Sequence, residues 1–133
     1  MTKYAKVLLL IGALAGCSNY VAGIGSTGTF IVAVGTERFR VRIDNALLAN
    51  KARRMMIGAV DQEIVTGTLD RGNGGFNTGY NWHIKPATVS FTETTIELCD
   101  GRPSDIEANI AYWVDTVKQY CPWSGRIVAE VGK

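Results

Sequence analysis

The segment Cys121-Pro122-Trp123-Ser124-Gly125-Arg126 places a sulfur, a hydroxyl and a guanidinium within six residues. Together with His83, Glu97, Asp100 and Cys99, it holds the residue types of several chemistries. A thiolate beside an imidazole would be a nucleophile. A serine with a histidine and a carboxylate would serve acyl transfer. Cysteines with a histidine would hold zinc. An arginine beside Glu97 and Asp100 would grip a carboxylate ligand. The spacings argue against most of these. There is one histidine in the chain and there are three cysteines, with no Cys-x-x-Cys pair for redox exchange. Ser124 lacks the Gly-x-Ser-x-Gly setting of a serine hydrolase. The glycine-rich stretch Asp70–Gly79 lacks the Gly-x-x-x-x-Gly-Lys-Ser/Thr spacing of a phosphate loop. No catalytic set, metal site or cofactor is therefore expected. A small hydrolase using His83 with Glu97 or Asp100 stands as the enzymatic alternative.

What Cys121 does depends on the other end of the chain. Lys3 and Lys6 precede an apolar run from Val7 to Leu14. This is the form of an export signal, and the run is shorter than the roughly 20 apolar residues of a bilayer span. It ends in Leu14-Ala15-Gly16-Cys17, which resembles the lipobox of bacterial lipoproteins. The resemblance implies cleavage before Cys17, a diacylglycerol on its sulfur and an acyl group such as palmitate on its new amino group. Several acyl chains give stable anchoring where one does not. Ser18 in place of an aspartate favours the outer membrane by the same resemblance, facing the periplasm or the cell surface. The expected organisation is thus a signal peptide at 1–16, a small, glycine-rich tether at 17–28 and one globular domain at 29–133.

Removing the signal alters two sums. The full chain carries 14 Lys+Arg and 12 Asp+Glu. Lys3 and Lys6 leave with a segment that holds no acid, so the mature chain has 12 of each and is near neutral. No nucleic-acid footprint remains. Lipidation of Cys17 also leaves Cys99 and Cys121 as two thiols in an oxidising compartment, where a pair is expected to join. That bridge would close a loop of about 20 residues, worth roughly 3 kcal/mol in the chain-entropy treatment.

Periodicity supplies the elements that must position these groups. Thr29–Val34 and Glu37–Ile43, joined by Gly35-Thr36, read as a hairpin. In its second strand Phe39, Val41 and Ile43 alternate with Arg38, Arg40 and Arg42. The arginine stripe would be a solvated face paired with Glu37, Glu63 or Glu97, or a contact for anionic headgroups. Asp44 is the expected N-cap of a helix through Ile57, with Leu48, Ala52 and Met55 on one face and Gly58 as its stop. Gln62–Leu69 reads as a strand, with Gly67 marking a bulge or close contact. Asp70–Gly79 reads as a loop. Tyr80–Lys85 reads as a strand with Tyr80, Trp82 and Ile84 on one face. Ala87–Phe91 and Thr94–Cys99 read as further strands. Ser104 and Glu107 have capping-box spacing ahead of a helix whose buried stripe is Ile106, Ile110, Trp113, Val114 and Val117. Gly125–Val131 reads as the last strand. The order β-β-α-β-β-β-α-β gives an α+β fold: a single antiparallel sheet of about five to six strands with two helices on one face, stapled by one disulfide.

Three stretches then look familiar. They are Tyr80-Asn81-Trp82-His83-Ile84-Lys85-Pro86, Glu97-Leu98-Cys99-Asp100-Gly101 and Cys121-Pro122-Trp123-Ser124-Gly125-Arg126. In this arrangement the chain resembles a family of small secreted domains, mostly bacterial, that also forms the N-terminal domain of a slime-mould calmodulin-binding protein. The likeness runs from about Gly28 to Val131. Tyr80 stands where tryptophan is common, Lys85 where an acid is common and Gly125 where a second serine is common. The resemblance supports the disulfide and the α+β reading. It implies no activity, and calmodulin binding is not carried over.

Candidate binding groups remain. His83 could act near neutral pH. Phe76, Tyr80 and Trp82 lie in or beside the glycine-rich loop. Trp123, Ser124 and Arg126 form a tip, and tryptophan concentrates binding energy at interfaces. Glu97 and Asp100 flank the cysteines. The leading expectation is a non-enzymatic, lipid-anchored envelope domain that binds a protein, peptide or glycan through the Gly72–Tyr80 loop and the Trp123–Arg126 tip. A purely structural envelope component is the remaining alternative.

Overall fold

The structure is a computed structural model that describes residues 26–132. The expected signal peptide, Cys17 and the tether as far as residue 25 lie outside the described residues. In chain order the strands are β1 (Gly28–Val34), β2 (Glu37–Ile43), β3 (Ile64–Arg71), β4 (Trp82–Ile84), β5 (Ser90–Thr92), β6 (Gln119–Tyr120) and β7 (Arg126–Glu130). The helices are α1 (Ala46–Met56), α2 (Pro103–Ala108) and α3 (Ile110–Tyr112), followed by a π-helical turn over Trp113–Val117.

The α+β class and the antiparallel pairing are as expected, but the strands form two sheets and not one. In the first, β1 lies between β2 and β7. Its hairpin register runs from Gly28 opposite Ile43 to Val34 opposite Glu37. Alternation buries Phe30, Val32 and Val34 of β1 with Phe39, Val41 and Ile43 of β2. In the second, β3 changes partner along its length: β5 at Ile64–Thr66, β6 at Gly67–Thr68 and β4 at Leu69–Arg71. Gly67 is there for close approach, because a Cβ would strike Ile84 and crowd Thr88.

Three local readings change for physical reasons. Asn45, not Asp44, caps α1, accepting from Leu48 N–H at 3.0 Å, while Asp44 pairs with Arg42. Ala49, Ala52 and Met55 form the buried stripe, with Leu48 half-buried beside them. Of the expected strand Ala87–Phe91 only Ser90 and Phe91 are strand, and Ala87 and Thr88 belong to a 3₁₀ turn over Pro86–Thr88. Thr88 Oγ1 accepts from the Thr68 amide at 2.9 Å, so a hydroxyl replaces one rung of the ladder. Thr94–Cys99 is likewise not a strand: Glu97–Cys99 forms a 3₁₀ turn. The backbone of β3 is already engaged by β4, β5 and β6, so this segment finds no strand to extend.

The Ser104/Glu107 capping box does not form either. The helix starts two residues earlier, with Arg102 at the N-cap and Pro103 in the first turn. Asp105 reaches back to the Arg102 amide at 2.8 Å. Ser104 and Glu107 serve other elements. Ser104 donates its amide and its hydroxyl to Glu37 of β2, both at 2.9 Å. Glu107 accepts from the Asn81 amide at 2.9 Å and its side chain at 2.6 Å. Asn109, at φ −148° and ψ 61°, separates α2 from α3. Ile106, Trp113 and Val117 are buried as expected, with Ile110 and Val114 packed beside them.

One core joins the two sheets. Phe39 of β2 packs against Trp82 of β4 and Tyr120 of β6, with ring centroids 5.4 and 5.3 Å apart. Trp113 adds an edge contact to Tyr120. Such pairs contribute about 0.5–1.5 kcal/mol each beyond area burial. On the other side of the first sheet's edge, α1 lies against β7 and β2. There Arg53 grips Glu130 with two hydrogen bonds, 3.0 and 2.8 Å, and its guanidinium lies over the Phe30 ring. The carboxylate of Glu130 holds Arg53 above its usual range.

Candidate functional site

Cys99 and Cys121 are joined in a disulfide, with Cα atoms 5.1 Å apart. The Cys121 amide also donates to the Cys99 carbonyl at 2.8 Å. Both residues are buried, so the sulfurs of the Cys-Pro-Trp corner form a staple under the surface.

The staple holds a tryptophan outside it. Trp123 is 43 % exposed. Its backbone amide donates to Asp100 Oδ1 at 2.9 Å, and its indole Nε1 donates to Thr95 Oγ1 at 2.6 Å. The ring is thus fixed at both ends while a face stays open, which lowers the entropy lost when that face is covered. It lines a concavity of about 250 Å³ with Ile64, Glu93, Thr94 and Thr95. This continues past Ser124, Gly125 and Arg126 into a trough lined by Gln62, Glu63 and Glu93. Beyond it, Lys51, Val60 and Asp61 border the same acids. The result is one groove, apolar at the Trp123 end and acidic toward Asp61. Lys51 neutralises Glu63 at 2.6 Å.

Gln62 shapes the floor of the groove. Its amide accepts from Ile127 N–H at 3.0 Å and donates to Ile127 C=O at 3.2 Å and Met55 C=O at 3.1 Å. A single side chain thereby takes up strand-like bonds at the outer edge of β7. That satisfies backbone groups which would otherwise recruit another strand.

Two further apolar side chains stand out from the same corner: Ile96 is 67 % and Leu98 58 % exposed. Glu97 lies between them and is exposed. Arg126 is exposed on β7 and Ser124 is exposed beside Trp123. Glu97, Asp100, Arg102 and Arg126 do not combine into one ion-pair network among the described residues. Arg102 turns to Asp105 at 3.2 Å and approaches Glu37 at 3.9 Å, while Asp100 serves the Trp123 amide.

The Gly72–Tyr80 loop is built differently. Asn77 is fully buried at its centre. Its Oδ1 accepts from the Arg40 amide and its Nδ2 donates to the Trp82 carbonyl, both at 2.8 Å. The Tyr80 hydroxyl donates to the Arg38 carbonyl at 2.9 Å. Two side chains of the loop thus occupy the free edge of β2. Trp82 is fully buried and Tyr80 half-buried. Burial holds the Tyr80 phenol above its usual range.

His83 faces this loop. Its Nδ1 lies 2.8 Å from the Gly72 carbonyl, and Phe76 meets its ring edge-on at 5.5 Å. A carbonyl only accepts, so Nδ1 is the donor in this contact. Gly74, at φ +65°, packs where a Cβ would press on that ring. Among the described residues, no hydrogen bond joins His83 to Glu97 or Asp100. Of the arginine stripe, Arg42 pairs with Asp44, and among the described residues the stripe forms no ion pair with Glu37, Glu63 or Glu97. Among the described residues, no group of three or more His, Cys, Asp or Glu stands where it could hold a metal ion, and no helix is long and apolar enough to cross a membrane.

The sequence therefore pointed to Trp123, Ser124 and Arg126 but not to Ile64, Glu93, Thr95 or Gln62, which complete the groove. These sit on other elements, and nothing in their local spacing marks them. Asn77 had no local mark either, because Asn73 stands in the same glycine-rich stretch with the same side chain.

No curated protein and no solved structure matches the chain. The family model described as the BP-74 N-terminal domain does match, over residues 26–133. That span takes in both sheets, the disulfide corner and the groove, and on this ground the chain belongs to the BP-74 N-terminal domain family.

Proposed function

We propose that this is a lipid-anchored binding domain of the bacterial cell envelope, exported, cleaved and acylated at Cys17 and held at the outer membrane. Its groove receives an extended segment of a protein or peptide partner. The observation that carries this reading is Trp123, whose ring is pinned by Thr95 and Asp100 yet open to solvent above an apolar cleft. Hot spots at interfaces are preorganised aromatic groups of this kind beside a desolvating pocket. Glu93 and Asp61 along the groove favour a segment carrying a lysine or arginine near its apolar anchor.

The test is capture from envelope extract by the full chain and by Trp123→Ala. Partners retained by the wild type and lost with the variant support the groove; an unchanged catch overturns it. Mass spectrometry of the membrane-extracted chain checks the anchor separately. An N-terminal Cys17 bearing acyl groups is expected, and an uncleaved, unmodified Met1 would remove the anchor.

A further inference from the structure

The outer face of α1 carries a pattern that neither the core nor the groove explains. Ala49, Ala52 and Met55 point inward and Arg53 turns to Glu130. At 100° per residue, the opposite arc holds Leu47, Asn50, Lys51, Arg54 and then Ile57 at the C-cap. Leu47 is 75 % and Ile57 74 % exposed, the two most exposed large apolar side chains among the described residues. Arg54 is exposed between them, and α1 contains three cations and no acid. The neighbouring carboxylates Asp44 and Glu63 are each engaged, by Arg42 and Lys51.

The point at which the tether joins the domain lies on this helix. Arg53 donates to the Ser26 carbonyl at 3.2 Å and to the Thr27 carbonyl at 3.4 Å. Eight residues lie between Cys17 and Ser26, a reach of at most about 30 Å. The same end of the hairpin, where Gly28 faces Ile43, leads directly into α1. The Gly35–Thr36 turn lies a full strand away, roughly 20 Å.

We infer that the outer face of α1 docks on the lipid surface, with Leu47 and Ile57 entering the headgroup–acyl boundary and Arg54 meeting anionic headgroups. This rests on the acylation of Cys17 proposed above. Two apolar side chains and one free arginine would not hold a soluble protein on a bilayer. A tether of this length makes the encounter intramolecular, at an effective concentration on the millimolar scale, where so small a face suffices. Docking of α1 sets the orientation of the domain and directs the Gly35–Thr36 turn away from the membrane.

The test uses the full, acylated chain reconstituted into phosphatidylethanolamine–phosphatidylglycerol vesicles whose acyl chains are brominated. Tryptophan is introduced by Leu47→Trp, Ile57→Trp or, as comparator, Thr36→Trp, all at exposed positions. Emission is compared with the wild type, which carries Trp82, Trp113 and Trp123. The expected result is that the emission added at positions 47 and 57 falls at least about twofold, while that added at 36 is unchanged, since bromine quenches only at the acyl boundary. If the chain floats with the vesicles but all three positions respond alike, docking is overturned and the anchor stands. If the chain does not float and Cys17 is unmodified, the anchor falls and docking falls with it.

Discussion

The Gly72–Tyr80 loop and the Thr94–Cys99/Cys121–Arg126 corner look alike as sequence: glycines, turns and aromatic residues that suggest contact with a partner. In the fold they do opposite things. The loop sends its side chains inward, so that Asn77 and Tyr80 satisfy the edge of β2 and Phe76 leans on His83. The corner is fixed through its backbone and its sulfurs, so that Trp123, Ile96 and Leu98 remain outside. A segment held by side-chain amides has committed those groups to the fold. A segment held by a disulfide and main-chain bonds keeps its side chains for something else.

Removing the staple should have the largest effect. Cys99→Ser with Cys121→Ser is expected to cost about 3 kcal/mol, seen as a lower urea midpoint, and to weaken capture through Trp123 before the loop is affected. Equal loss of protection in the loop and the corner, measured by hydrogen exchange, would erase the contrast between them.

Asn77→Ala attacks the other region. It leaves the Arg40 N–H and the Trp82 C=O without their partner, at a cost of about 2–3 kcal/mol. Capture by the folded variant at low temperature should match the wild type. If binding vanished while the fold persisted, the loop would be a recognition element after all.

Each region holds a tyrosine whose phenol is raised by burial, Tyr80 in the loop and Tyr120 at the corner. Tyr120 is buried beneath the corner and donates to the Gly101 carbonyl at 2.9 Å. Burial, with the charge of Asp100 second, holds its phenol far above the usual range. The folded state favours the neutral phenol, so its contribution is complete below about pH 10 and is lost as pH rises further. Stability should then fall by up to about 1.4 kcal/mol per pH unit above pH 10. Tyr120→Phe should flatten that slope, and an unchanged slope in denaturant melts at about pH 9–11 would refute the assignment. In acid the sign reverses. Asp105 is lowered by the Arg102 amide and side chain, and Asp115 by the Arg71 guanidinium. Their contributions hold above the ordinary aspartate range and disappear as pH falls below it.

The smallest change in stability is expected from Trp123→Ala. The ring is partly exposed and its hydrogen bond to Thr95 lies at the surface, so the loss should stay under about 1 kcal/mol while partner capture is abolished. A drop comparable to the disulfide variant would make Trp123 a core residue and not a recognition group.

Much of the framework was legible along the chain because it depends on short-range periodicity. Phe39, Val41 and Ile43 announced β2, the run from Ala46 to Met56 announced α1, and the spacing of Ile106, Trp113 and Val117 marked the buried helical stripe. The failures share one cause. Ser104 and Glu107 have the spacing of a capping box, but Glu37 and Asn81 offered better partners from distant elements. Thr94–Cys99 alternates like a strand, but β3 had no edge left for it. The candidate site divided in the same way. Trp123 could be singled out by type and by its neighbour Cys121, whereas Glu93, Ile64 and Gln62 had no local mark.

The amino-acid sequence by itself determined which residues alternate toward a core, where α1 stops at Gly58, and that Cys99 and Cys121 are available to pair. Each of these follows from spacing within a few turns or from counting. Only the tertiary structure decided that the strands divide into two sheets, that Asn77 is interior and Trp123 exterior, and that Gln62 closes the edge of β7. Those outcomes hang on which distant backbone groups are already satisfied, and hydrogen-bond competition of that range leaves no trace in local sequence.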